Sequence, residues 1–151
     1  MAVKPIPEGY HTLTPFLIIE GAAKLIDFLK AAFNAQEVSR MSGKDGTVGH
    51  AELRIGDSML MLADAQPEYP ARPCMIGLYV EDVDATYQRA LAAGATSVRE
   101  VADQFYGDRS GAVQDASGMQ WWISTHIEDV TDEELARRAA AFKDQHQEQC
   151  G

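Results

Sequence analysis

The strongest constraint on the fold is an internal repeat, because the chain passes twice through the same order of apolar and turn segments. The apolar run Leu17–Ile19 lies 61 positions before Leu78–Val80, and Ala35 lies 60 positions before Ala95. Repeats of this length indicate a supersecondary unit that buries its apolar face against a second copy of itself. The repeat therefore predicts two tandem modules that share one core.

Hydrophobic spacing predicts the order β-α-β-β-β within each module. In the first copy, an apolar strand over 13–19 precedes a helix over 21–33 whose apolar residues recur at helical intervals. Strict alternation over 50–55 then predicts a strand with His50 and Glu52 on the face opposite to its apolar residues. The second copy repeats this order, so we predict an α+β fold of two βαβββ modules.

The same patterns set the domain boundaries. We predict a single domain over 1–151, with module one at about 10–65, a linker at 66–73 and module two at about 74–128. The linker contains three prolines, which is typical of a connecting segment. A capping box at Thr131 predicts a C-terminal helix over about 131–147.

Charge and cysteine content narrow the range of partners. Lys and Arg number 13 against 23 Asp and Glu, which gives a formal net charge of −10 and no basic stripe. This balance argues against binding to nucleic acid or to an anionic membrane surface. No apolar run approaches the roughly 20 residues that span a bilayer. The two cysteines, Cys74 and Cys150, lack neighbours at metal-ligand spacing, and we expect a cytoplasmic protein.

Six short segments stand in a fixed order along the two copies: Thr14–Leu17, His50–Ser58, Tyr79–Asp84, Asp103–Arg109, Asp115–Trp121 and Thr125–Val130. Together they resemble the vicinal-oxygen-chelate superfamily, the glyoxalase/bleomycin-resistance/dioxygenase group, and within it the PhnB-like, glyoxalase-like branch. The resemblance covers about residues 5–138. It implies that the modules form a curved mixed-sheet cup with helices on its convex side, that a small molecule binds in the cup, and that the chain is a homodimer.

The resemblance also implies where a metal would bind. Metal-dependent relatives carry a His near the start of each module's first strand and a Glu on each fourth strand. Alignment of the modules places Thr14 and Met75 at the two His positions, and Met61 and Trp122 at the two Glu positions. None of these side chains is a usual ligand of a hard divalent ion, so we expect neither a metal nor another cofactor.

Those substitutions predict what the cup binds. Strand alternation places Met59, Met61, Met75 and Trp122 on the cup side, and Tyr106 lies at a hairpin mouth. Thioethers and one large aromatic suit a small apolar, aromatic or cationic ligand. The alternative is that these side chains only fill the cup.

His50 and Glu52 support a different class of function, because they share one strand face two residues apart. They would serve as an acid–base pair, or as part of a displaced metal site approached by His11 or His126. Either role predicts a glyoxalase-like lyase or isomerase, or a dioxygenase-like enzyme. Otherwise the two residues are a polar pair lining the cup or a dimer interface. A third hypothesis is a structural module that binds no small molecule.

Overall fold

A computed structural model describes residues 2–148 and confirms the predicted element order. Module one contains β1 (Phe16–Ile19), α1 (Ala22–Phe33), β2 (Gln36–Ser42), β3 (Val48–Ile55) and β4 (Ser58–Asp64). Module two contains β5 (Met75–Tyr79), α2 (Val83–Ala92), β6 (Thr96–Asp103), β7 (Asp108–Gln114) and β8 (Gln120–His126), and α3 (Asp132–Glu148) follows. Cys150 lies outside the described residues, and the cytoplasmic location expected from the two cysteines stays a prediction.

Each module forms its own four-stranded mixed sheet. The strand orders are β1-β4-β3-β2 and β5-β8-β7-β6, with the first and fourth strands of each module parallel. The registers also agree, since Phe16 pairs with Met61 and Gly77 pairs with Trp122, a constant offset of 61 residues. Within residues 2–148 no strand of one module pairs with a strand of the other, so β1 and β5 are both edge strands.

The helices join the two modules. Helix α1 packs against α2, the Arg89 Nε donates to the Ala32 carbonyl at 3.2 Å, and the ring of Phe33 lies 5.3 Å from that of Trp121. The helix-facing residues of both sheets, Leu53 and Ile123 among them, belong to one buried cluster. The opposite face of each sheet is therefore turned away from the shared core.

A residue at the end of the fourth strand, Asp64 in β4 and Thr125 in β8, holds the start of each module's helix. Asp64 Oδ1 accepts from the main-chain N–H groups of Gly21 and Ala22 at 3.0 and 2.9 Å, and its Oδ2 accepts from Val48 at 2.7 Å. In module two, 61 residues later, the Thr125 hydroxyl accepts from Val83 at 2.9 Å. These bonds satisfy N–H groups that a helix leaves unpaired at its first turn.

Helix α3 packs on the loop between β6 and β7. The Arg138 guanidinium bonds the Phe105 carbonyl at 3.2 Å and the carboxylates of Glu128 and Glu134 at 2.8 Å, and the ring of Phe142 lies 5.1 Å from that of Phe105. Among residues 2–148, no helix is both long and apolar enough to cross a membrane.

Candidate functional site

The outer face of module one carries a row of four side chains, one from each strand. Strand registers align Ser39 with Glu52, Glu52 with Met61, and Met61 with Phe16. The neighbours of these residues along β3 and β4, such as Leu53 and Leu62, point into the core. We call this set row one; it is polar at β2 and β3 and apolar at β4 and β1.

Glu52 is the electrostatic centre of row one. Its Oε1 accepts from the Tyr10 hydroxyl, and its Oε2 accepts from the Ser39 hydroxyl at 2.8 Å. These bonds, that from Tyr10 above all, lower the pKa of Glu52, so the carboxylate is ionised at neutral pH. Burial, and then the contact with Glu52, raises the pKa of Tyr10 to about 12. The arrangement is an ionised acceptor with two neutral donors.

His50 lies beside Glu52 on the same strand face, as predicted. Its Nε2 is 4.0 Å from Glu52 Oε1, and its ring meets the ring of Phe16 edge-on at 5.6 Å between centroids. The 4.0 Å separation is too long for a hydrogen bond. In this structure, therefore, the Glu52 carboxylate accepts hydrogen bonds from Tyr10 and Ser39 and not from His50.

The outer face of module two has an equivalent row with different chemistry. Registers align Arg99 with Ala112, Ala112 with Trp122, and Trp122 with Gly77. The Arg99 guanidinium lies over the Trp122 indole at 5.8 Å and donates to Gln104 Oε1. In this set, row two, Ala112 stands at the position of Glu52, and the charged group is a guanidinium stacked on an aromatic ring.

Module two also holds a polar cluster that the sequence did not predict. The buried Asp108 carboxylate contacts the Tyr79 hydroxyl at 2.7 Å and His126 Nδ1 at 2.8 Å, and His126 Nε2 contacts Asp129 at 2.9 Å. The bond to Asp108, and then that to Asp129, raises the pKa of His126. Because both ring nitrogens contact carboxylates, the charged imidazolium is the favoured form.

A cleft of about 1420 Å³ lies between the two modules and is lined by residues of both. Its walls include Arg54 and Met59 at the turn between β3 and β4, the end of α1 at Phe33, and β5 together with His126. Because β5 pairs with no strand but β8 among residues 2–148, one wall of the cleft is an unpaired strand edge. The cleft therefore combines apolar side chains with free main-chain groups.

Comparison with known proteins identifies the family. The model of the "Glyoxalase/Bleomycin resistance protein/Dioxygenase superfamily" matches residues 11–123. The chain belongs to this superfamily. An uncharacterized protein of Mycobacterium tuberculosis is 40% identical over 134 residues, which is 82% of this chain and 79% of that protein.

Solved structures of other proteins share the fold. TioX from Micromonospora sp. ML1 is 25% identical, with a TM-score of 0.67 over 78% of this chain and 99% of that chain. A PhnB protein from Bacillus cereus, titled a putative 3-demethylubiquinone-9 3-methyltransferase, is 20% identical, with a TM-score of 0.59 over 76% of this chain and 99% of that chain. The resemblance to the superfamily, with PhnB-like neighbours, is thus confirmed.

The side chains at the positions that the resemblance assigns to metal ligands do not fit a divalent ion. Met61 and Trp122 lie at the centres of the two rows, and Thr14 and Met75 lie before β1 and at the start of β5. None of these four offers a carboxylate or an imidazole. Within residues 2–148, no group of three or more His, Cys, Asp or Glu side chains is placed to hold a metal ion.

The five residues predicted to bind ligand are distributed over both modules. Met59 is buried beside the cleft, Met61 and Trp122 are half-buried in the rows, and Met75 is 59% exposed on the edge strand β5. Tyr106 packs its ring edge-on against Phe105, 5.4 Å away. Their role in binding stays a prediction.

Sequence reasoning missed Tyr10, Ser39, Arg99 and the cluster of Tyr79, Asp108 and His126. Ser39 and Arg99 follow from the repeat, because they stand 60 residues apart on equivalent strands. The Asp108 cluster joins the ends of β5, β7 and β8, which are distant in sequence and adjacent only in the folded sheet. The contact of Tyr10 depends on the path of the N-terminal segment, and no local pattern specifies it.

Proposed function

We propose that this superfamily member binds a small apolar, aromatic or cationic molecule on the outer faces of its modules, without a metal. The observation that best supports this proposal is the side-chain composition of the two rows. Phe16 and Met61 form an apolar floor in row one, and Trp122 supplies a large aromatic surface in row two. Thioether and aromatic side chains at metal-ligand positions favour dispersion contacts with a ligand over coordination of an ion.

We propose further that the cup is completed in a homodimer. Phe16 is 54% exposed on β1, and Met75 and Tyr79 are 59% and 73% exposed on β5. Exposed apolar side chains on unpaired edge strands favour burial against another chain. Because the two outer faces of one chain turn away from each other, a second copy would set row one of one chain near row two of the other.

Methionine methyl resonances test the binding proposal. We would label the protein with 13C-methyl methionine and titrate it with naphthalene-type aromatic probes, assigning signals by Met→Leu variants. We expect the Met61 signal to move on titration and the Met119 signal to stay, since Met119 is fully buried in the core. Failure of every methionine to respond, with no ligand-dependent rise in melting temperature, would favour the purely structural module.

Metal content and sedimentation test the other two parts of the proposal. Plasma mass spectrometry on untagged protein is expected to find far less than one equivalent of transition metal per chain, and chelator should leave the melting temperature unchanged. One retained ion per chain would contradict the metal-free cup. Analytical ultracentrifugation at micromolar concentration should give a dimer, and a monomer alone would overturn the proposed assembly.

The enzyme remains the second candidate because Glu52 is ionised and His50 lies 4.0 Å from it. An ionised carboxylate beside an imidazole has the components of an acid–base pair. His50→Ala and Glu52→Gln separate the candidates. Loss of a demonstrated lyase or isomerase turnover in both variants would favour the enzyme. Retention of ligand affinity within a few-fold in His50→Ala, without turnover in the parent protein, favours the binding protein.

A further inference from the structure

We propose that Glu52 is a hydroxyl-binding subsite of the cup, that the ligand is a hydroxylated aromatic of the phenol class, and that Tyr10 fills this subsite until the ligand displaces it. This inference rests on the proposed binding function and names the chemical class of ligand. Two observations support it: the geometry of row one, and the Tyr10 phenol that already contacts Glu52 there.

Row one changes from apolar to polar over a distance that matches a small aromatic molecule. Adjacent strands lie about 4.8 Å apart, so Phe16 on β1 and Glu52 on β3 are separated by about 10 Å across Met61. A flat two-ring molecule has this length. Its rings would cover Phe16 and Met61, and a polar group at one end would reach Glu52.

The chemistry of Glu52 decides which polar group is accepted. An ionised carboxylate is an acceptor only, and here it takes one hydroxyl on each oxygen, from Tyr10 and from Ser39. Ser39 belongs to the sheet and holds one oxygen in place. The other oxygen is left for a donor. An anionic ligand group would be repelled at this position, whereas a neutral hydroxyl forms a charge-assisted hydrogen bond.

Tyr10 is suited to be displaced. It lies in residues 2–15, which contain neither helix nor strand. Its main-chain N–H bonds the Pro7 carbonyl within the same segment, and the adjacent His11 reaches the Asp57 carbonyl at 3.2 Å through an exposed contact. Departure of the Tyr10 ring would therefore break no strand pairing.

The corresponding position in module two has no such acceptor. Ala112 stands where module one has Glu52, and Arg99 stands where it has Ser39. A hydroxyl donor finds no carboxylate in row two. Hydroxyl recognition therefore belongs to module one, and the matched change in that module is Glu52→Ala, which gives row one the side chain of row two.

A pair of probes that differ only in the donor tests the inference. We would measure the affinities of 2-naphthol and 2-methoxynaphthalene by calorimetry for the parent protein and for Tyr10→Phe, Glu52→Ala and Tyr69→Phe. Tyr69 is an exposed tyrosine of the linker and serves as the control. Circular dichroism would verify that each variant is folded.

We expect the parent protein to prefer 2-naphthol. Tyr10→Phe removes the competing donor and should tighten 2-naphthol binding by about three- to tenfold, the value of one hydrogen bond, with little change for the ether. Glu52→Ala should abolish the preference, and Tyr69→Phe should change nothing. Equal binding of both probes, unaffected by Tyr10→Phe, would overturn this inference and leave the cup standing. Binding of neither probe to any variant would overturn the cup itself.

Discussion

The two modules share a backbone and differ in what their outer faces present. Their strand orders and registers are the same, so that Phe16 with Met61 corresponds to Gly77 with Trp122. The aromatic side chain is on the first strand in module one and on the fourth strand in module two. The charged group is the Glu52 carboxylate in module one and the Arg99 guanidinium in module two. The difference indicates that pairing and core are constrained in both copies, while the outer face of each is free to take a separate role.

The two modules also differ in the side chains that bind the main-chain N–H groups at the start of each helix. Asp64 binds three main-chain N–H groups, whereas Thr125 binds one and donates its own hydrogen to the Val80 carbonyl at 2.8 Å. Helix α2 needs less help because Asp82 also caps it, accepting from Ala85 at 3.0 Å. The N-cap residue of helix α1 is Gly21, whose lack of a side chain leaves the capping to Asp64.

The largest expected effect is therefore on the stability of module one. Asp64→Ala should lower the free energy of unfolding by about 3 kcal/mol, because it strands three donors, two at a helix start. Thr125→Ala should cost about 1 kcal/mol, since Asp82 remains. Urea unfolding followed by circular dichroism measures both. Equal losses would show that the two supports are equivalent and would break the comparison.

An intermediate effect should separate two adjacent tryptophans on opposite faces of β8. Trp121 is fully buried, and its Nε1–H donates to the buried Asp115 carboxylate at 2.7 Å. Trp121→Phe should cost about 2 kcal/mol, because Asp115 loses a partner. Trp122→Phe, on the outer face, should lower the free energy of unfolding by no more than about 0.5 kcal/mol. A larger loss at Trp122 in thermal or urea unfolding would place that side chain in the core instead of the cup.

The smallest effect concerns His126, whose contact with Asp108 has no counterpart in module one, where the equivalent positions are Ala65 and Val48. Its pKa in the folded state is raised, so the contribution to stability is complete below the unfolded value of about 6.5 and is lost as the pH rises through the folded pKa. NMR titration should place the His126 midpoint above about 6.5, and Asp108→Asn should lower it. A midpoint at or below that value would contradict the contact.

Most of the fold could be predicted from the sequence because its signals are local and occur twice. The apolar spacing of α1, the alternation along β3 and the left-handed Asn34 that ends α1 act within a few residues. The alternation that puts Trp122 on the outer face also puts Trp121 on the helix side, where it is fully buried. Because the second module repeats the first, each element assigned in one module could be assigned at the equivalent positions of the other.

The candidate site was predictable only in part. His50 and Glu52 were correctly placed on one strand face, since a period of two requires it. Their partners were not predictable, because Tyr10 reaches Glu52 across 42 residues of chain and Tyr79 reaches Asp108 across 29. Such contacts depend on how strands are ordered in the sheet and on the path of an irregular segment, which spacing does not encode.

Alternation along the strands has a consequence for the history of this protein. On the central strands, row residues are flanked in sequence by core residues, as Glu52 is by Ala51 and Leu53, yet the two sets lie on opposite faces of the sheet. A substitution in a row therefore changes the chemistry of the outer face without altering what holds the sheet together. With two such faces in one chain, new ligands could be acquired by single mutations in either copy, and foldability would place little restriction on the order in which they occurred.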